Sequence, residues 1–185
     1  MSLLLLFILL LAAAAMMILE RAGVPTTLEL SLRGDLKRET GWLAQYGQGV
    51  CTLVVAAVIW RLEPSRQREL VAMLGSVAAA SLVATLLKRL VGRVRPRREN
   101  AGRFLGPSFR HDNARESFPS SHSAAAVALS VALSLMFPAG APIFWALAIA
   151  CALLRYLMDA HWPSDVLAGV ALGYATAHAV WRCLI

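Results

Sequence analysis

Three polar stretches, far apart along the chain, carry residue types that could together hold and cleave a phosphate ester. The first is Lys88-x6-Arg95-Pro96, the second Pro119-Ser120-Ser121-His122, and the third Arg155 followed by His161 and Asp165. They supply three cations suited to phosphate oxygens, two imidazoles, one placed to give a proton to a leaving oxygen, and one carboxylate to steady an imidazole. In a chain that is 58% hydrophobic such groups are costly unless they have a task.

Each stretch also admits a plainer reading. Lys88 and Arg95 lie seven residues apart, close to two helical turns, so a continuing helix puts them on one face. Pro96 biases Arg95 out of helical geometry and is expected to end that helix. The pair suits phosphate oxygens, or serves as a juxtamembrane anchor for anionic headgroups. Arg89, Arg93, Arg97 and Arg98 read as such anchors. Ser120 or Ser121 suits a helix N-cap, where free N–H groups make an anion site with His122 beside it. The alternative is an ordinary cap with an interfacial histidine. His161 and Asp165 stand at i and i+4, with Pro163 fit for the first turn of a helix. They read as a carboxylate–imidazole pair, whether chemical or structural. A metal site lacks third and fourth ligands at suitable spacing. His111, in a polar loop, and His178, deep in an apolar run, have no evident part in this set.

The elements that must position these groups are apolar stretches at roughly Leu3–Leu19, Trp42–Trp60, Leu70–Leu87, Ser123–Phe137, Ala141–Met158 and Val166–Ile185. Each is near the ~20 residues that cross a bilayer. Lipid demands internal backbone hydrogen bonds, and no alternation of polar and apolar residues argues for a barrel, so helices are expected. The fold class is therefore all-α, a six-transmembrane-helix bundle forming one domain over 1–185, with the motif-bearing core at about 70–185. No Lys or Arg precedes Leu3, so the first stretch reads as a retained span rather than a signal peptide. Residues 20–41 read as a polar first loop with room for a short amphipathic helix along the interface. Arg61–Glu69 and Pro138–Gly140 are turns, and Lys88–Ser121 is one long polar segment. Counting crossings brings all three polar stretches to the same membrane face. Trp42, Trp60, Trp162 and Trp181 fall at span ends, where aromatic belts lie. Gly169-x-x-x-Gly173 permits close helix packing, expected within the chain rather than between copies.

The formal charge of +7 is local, with Lys88, Arg89, Arg93, Arg95, Arg97 and Arg98 inside eleven residues. The flanking spans point that cluster at lipid phosphate rather than nucleic acid. Cys51, Cys151 and Cys183 show no metal or redox spacing and read as small buried apolar residues. Neither the cysteines nor the charges define an oligomeric state.

The three motifs, in this order and spacing, make the chain resemble the type 2 phosphatidic acid phosphatase (PAP2) superfamily, whose pattern is K-x6-RP, PSGH and SR-x5-H-x3-D. Ser121 stands where the family usually has Gly, and would be strained if that position needs positive φ. Leu154 stands where it usually has Ser. The resemblance implies a lipid phosphate or pyrophosphate hydrolase acting through a phosphohistidine and needing no cofactor. In it His161 is the nucleophile, Asp165 orients His161, and His122 is the general acid and base. Lys88, Arg95, Arg155 and the Ser120–Ser121 backbone hold the phosphoryl group. Candidate substrates are undecaprenyl pyrophosphate, phosphatidylglycerophosphate, phosphatidic acid and lipid A phosphate, with the first two favoured. The same site could serve a lipid phosphotransferase, or a lipid-phosphate-binding protein without activity. The implied location is a bacterial inner membrane with the site facing outward, although the basic residues on the site face would by themselves point inward.

Overall fold

A computed structural model describes residues 1–28 and 34–185. Residues 29–33, and the side chains of Leu36 and Lys37, lie outside the described residues, and with them the middle of the expected first loop. Among the described residues seven α-helices carry the fold: α1 (Leu3–Arg21), α2 (Gly34–Ala44), α3 (Gly49–Leu62), α4 (Gln67–Val91), α5 (Ser121–Met136), α6 (Ala141–Leu157) and α7 (Pro163–Leu184). The architecture is all-α, as the apolar patterning predicts.

Helix α5 is the axis of the bundle, buried along most of its length and packed by α4, α6 and α7. Its run of Ala124, Ala125, Ala126, Ala128, Ser130 and Ala132 explains how three helices can close on it, because small side chains let backbones approach. Gly169 and Gly173 of α7 complete the fit. A Cβ on Gly169 would stand 2.4 Å from the Ser120 carbonyl oxygen, and one on Gly173 would stand 2.2 Å from that of Ala124. The small-residue motif thus packs within the chain, and its Gly169 half fixes α7 against the first turn of α5. Helix α1 lies along α7 and turns Leu3, Leu4, Phe7 and Leu11 outward, as a lipid-facing helix does.

The six expected crossings are not all matched by helices of crossing length and composition. Leu3–Arg21, Gln67–Val91 and Pro138–Leu157 are long and apolar enough; α5, at 16 residues, is short. The expected span Trp42–Trp60 is broken: Trp42 belongs to α2, and the segments Arg38–Gly47 and Gly49–Leu62 meet at 66°. The break has a tertiary cause. Gly47 is pressed so close to α5 that a Cβ would lie 2.2 Å from the His122 carbonyl oxygen. Tyr46 beside it donates to Ser130 Oγ at 2.9 Å, and Ser130 donates on to the Phe144 carbonyl at 2.7 Å. Counting the bent pair as one span gives four candidates among the described residues.

The turns follow the expected plan. Arg66, between α3 and α4, donates to the Met136 carbonyl at the end of α5, so these ends share the face opposite His122. Cys151 is buried and donates to the Ala44 carbonyl, Cys51 is half-buried, and Cys183 is exposed, contrary to the buried role expected for it.

Candidate active site

The first motif is built by the end of α4. The helix stops at Gly92, in the left-handed region at φ 62°, rather than continuing to Pro96. Glycine is required there twice over: for that φ, and because a Cβ would meet the Gly106 carbonyl oxygen at 2.3 Å. Lys88 therefore projects from the last helical turn, while Arg95 lies on an extended strand of loop. That loop is tied by Val94 N to Arg103 O (2.9 Å) and by Arg95 N to Ala114 O (2.9 Å). Among the described residues Arg95 is anchored to carbonyls, donating to Asn113 (2.7 Å), Ala160 (3.0 Å) and Glu116 (3.4 Å). Burial, then the neighbouring Arg155, holds its pKa below the ordinary arginine value.

The second motif is the start of α5. Ser120 is the N-cap, its Oγ accepting from Ser123 N at 3.4 Å, and its own N–H donates to the Asp165 carbonyl at 2.9 Å. Ser121 is the first helical residue and is not among the residues with positive φ, so the departure from glycine carries no backbone strain. Its Oγ accepts from Lys88 Nζ at 3.0 Å, joining the first two motifs.

The third motif spans the end of α6, the turn after it, and the start of α7. His161 is 1% exposed, and its Nδ1 lies 2.8 Å from the Ser117 carbonyl oxygen. A carbonyl only accepts, so in the neutral ring Nδ1 carries the hydrogen and Nε2 keeps its lone pair. Asp165 Oδ2 stands 3.8 Å from Nδ1, an ion-pair distance rather than a hydrogen bond. The carboxylate is fixed elsewhere: Oδ2 accepts from Ser117 Oγ and from Trp162 N (3.0 Å), and Oδ1 from Arg93 (2.6 Å). The Trp162 contact is the carboxylate arm of a capping box, with Pro163 at the first helical position as expected. Burial pushes the His161 pKa down to about 4 against the opposing pull of Asp165. The unfolded chain takes up this proton first as pH falls through 6.5, so the stability tied to neutral His161 is lost between about 6.5 and 4.

All the expected site residues converge. His122 lies within electrostatic reach of Arg155, His161, Lys88 and Arg95. The cations differ in how they are paired. Arg89, Arg93 and Arg97 form ion pairs with Glu116, with Glu20 and Asp165, and with Asp159. Among the described residues Lys88, Arg95 and Arg155 have no carboxylate at ion-pair distance, and Arg155 Nε is buried without an acceptor. Three partly buried cations lacking a counter-ion around two imidazoles make a site suited to a multiply charged anion.

Arg93 overturns its expected role as a headgroup anchor. It is 1% exposed, bonded to Asp165 and Glu20, and flanked by the rings of Phe104 and Trp162. Trp162, expected as an interfacial aromatic, instead donates from Nε1 to the Val94 carbonyl at 3.0 Å. Ser117 and Glu20 escaped the sequence reading altogether, since neither belongs to a motif. The one available signal was Glu20 itself, a lone carboxylate at the end of a 19-residue apolar helix. His111 lies outside the cluster and pairs with Glu116 at 2.9 Å. Burial raises the Glu116 pKa, but the bonds from His111 and the Asp112 N–H outweigh it and hold the carboxylate low. His178 packs edge-on against Tyr174 within α7.

Known proteins of similar sequence and fold are membrane-lipid phosphatases by name. The lipid A 1-phosphatase of Rhizobium johnstonii is 42% identical over 99 residues, 53% of this chain and 41% of that protein, so the match spans well under two thirds of that relative. The decaprenylphosphoryl-5-phosphoribose phosphatase of Mycobacterium tuberculosis is 34% identical over 140 residues, 75% of this chain and 74% of the relative. A crystal structure of a transmembrane PAP2-type phosphatidylglycerolphosphate phosphatase from Bacillus subtilis superposes with a TM-score of 0.65, covering 97% of this chain and 92% of its own at 20% identity, a likeness of fold. The model of the PAP2 superfamily matches residues 69–185, which hold all three motifs, and the chain belongs to that superfamily.

Proposed function

We propose that the protein is a membrane phosphatase that removes phosphate from a lipid phosphate or pyrophosphate at the headgroup level of the bilayer. The observation that carries this reading is the pairing of Lys88, Arg95 and Arg155, which have no carboxylate at ion-pair distance among the described residues, with a buried imidazole whose Nδ1 carries the hydrogen and whose Nε2 keeps its lone pair.

In the first step Nε2 of His161 attacks phosphorus as the bond to the leaving oxygen breaks, and His122 gives that oxygen its proton. Lys88, Arg95, Arg155 and the first N–H groups of α5 hold the equatorial oxygens, where charge concentrates in the transition state. Asp165 offsets the positive charge growing on His161. In the second step His122 takes a proton from water, the water oxygen bonds to phosphorus, and the P–N bond breaks to free inorganic phosphate and restore His161. The cations supply the charge stabilisation that a metal ion supplies in other phosphatases.

The substrate class follows from the setting. The relatives are named for lipid A and for a decaprenyl phosphate sugar, and a putative undecaprenyl-diphosphatase of Escherichia coli is 29% identical over 136 residues. We therefore extend the favoured substrates to lipid A phosphate beside undecaprenyl pyrophosphate and phosphatidylglycerophosphate. An apolar cavity of about 440 Å³ between α3, α5 and α6, lined in part by Val55, Ile59, Leu133, Phe144 and Leu147, lies toward the end of α5 away from His122 and is not part of the candidate site. Purified protein in detergent with EDTA, given a panel of these lipids, is expected to release inorganic phosphate from at least one. No release from any of them, under conditions where a related phosphatase works, would remove this function. Phosphate transferred to a second lipid instead of water would favour the phosphotransferase.

Two further outcomes follow. Neutral His161 is the attacking form, and its pKa is pushed down to about 4, so the acid limb of kcat/KM due to this group lies near pH 4, below the ordinary histidine range. An acid limb near 6.5 instead would contradict the buried, neutral nucleophile. We also place the site on the outer face of a bacterial inner membrane. Phe109, in the loop beside the site, is 97% exposed, and a cysteine there is expected to react with an impermeant maleimide added to intact spheroplasts. Labelling only after lysis would reverse the orientation.

A further inference from the structure

Arg93 is shared between two carboxylates in a place closed to water. One nitrogen donates to Asp165 Oδ1 at 2.6 Å and another to Glu20 Oε2 at 2.7 Å. Glu20 is held in turn by Ser164, whose N–H donates to Oε1 at 3.0 Å and whose hydroxyl donates to Oε2. Glu20 is at the end of α1, outside the residues that match the family. Two carboxylates on one guanidinium leave a net charge of −1. An isolated Arg93–Asp165 pair would be neutral, and its guanidinium would draw the negative field of Asp165 away from His161. With Glu20 taking half of Arg93, the carboxylate 3.8 Å from His161 keeps a field that favours a positive imidazole.

We propose that Glu20 and Arg93 are positioning residues of the reaction: the α1 carboxylate divides the Arg93 guanidinium so that Asp165 stays both fixed in place and negative toward His161. Helix α1 is then part of the catalytic apparatus and not only a lipid-facing wall. The catalytic arm of this proposal rests on His161 being the nucleophile; its electrostatic arm does not.

The test is Glu20→Gln, which keeps the shape and loses the charge. The His161 ring is followed by NMR in protein labelled with 15N-histidine in detergent micelles. The other charged groups around that ring stay unaltered: Lys88 of α4, His122 of α5, Arg155 of α6, Asp165 of α7 and Arg95 of the loop. The His161 titration midpoint is expected to move down by about half a pH unit. In parallel, kcat is expected to fall about tenfold with KM unaltered, and Glu20→Asp is expected to restore both. An unmoved midpoint overturns the proposal whatever the rates do, and so does a moved midpoint with wild-type kcat. A moved midpoint in a protein whose wild type releases no phosphate keeps the charge relay and removes the proposed function instead. Should Glu20→Gln not fold, Arg93→Lys takes its place: an ammonium cannot fork to both carboxylates, so reduced kcat at unaltered KM supports the proposal and wild-type kcat overturns it.

Discussion

Replacing His161 by alanine is expected to abolish phosphate release, by a factor on the order of 10⁴ or more, because on the proposed mechanism it removes the atom that attacks phosphorus. Removing a nucleophile differs from weakening a proton donor. His122→Ala is expected to cost roughly 10²–10⁴-fold, since water can replace a general acid in part. Quenching a single turnover of lipid labelled in its phosphate separates the two. Wild type is expected to carry acid-labile phosphate on the protein. His161→Ala should carry none, and His122→Ala should hold its label longer than wild type, because the water that clears it has lost its base. The geometry behind this contrast is the Ser117 carbonyl, which fixes the hydrogen on Nδ1 and so presents Nε2 unprotonated. Wild-type release by His161→Ala would end the nucleophile assignment.

Replacing Arg93 by alanine is expected to be the most destabilising single change in the polar half of the molecule, at about 3–5 kcal/mol. It strands Glu20 and Asp165 as buried carboxylates, with side chains 2% and 0% exposed, after their common counter-ion is gone. Arg97→Ala is the control. Its pair with Asp159 joins an arginine side chain 52% exposed to a carboxylate 9% exposed, so solvent screens one end and the expected cost is smaller, about 1 kcal/mol. Thermal unfolding of both variants in the same detergent checks the difference. Equal melting temperatures would mean that Arg93 is dispensable to the fold, as a headgroup anchor would be.

The difference between these two arginines could not be read along the chain. Lys88, Arg93, Arg95 and Arg97 lie within ten residues, with similar local sequence. Their separation into cations with no carboxylate at ion-pair distance among the described residues, a buried counter-ion and a partly exposed pair depends on where the chain turns. Gly92 ends α4 one residue before Arg93, and the loop then aims Arg93 into the bundle and Arg95 along its rim. The Pro96 signal was correct that the helix could not continue past Arg95, but glycine stopped it sooner. The broken second span is a similar case. Gly47 and Gly49 mark a flexible point in the sequence, yet only contact with the His122 backbone makes it a bend.

What the sequence by itself determined was the all-α class, the residue types of the candidate site and their order along the chain. Those follow from local rules, because helix period, caps and hydrophobic length are properties of neighbours along the chain. Only the tertiary structure decided which groups stand behind the chemistry. Ser117 turning His161, Glu20 sharing Arg93, and the Trp162 ring lying against Arg93 are contacts between residues 44 to 73 positions apart. Burial decides the charge state and the cost of losing each partner, and burial exists only once the helices have packed.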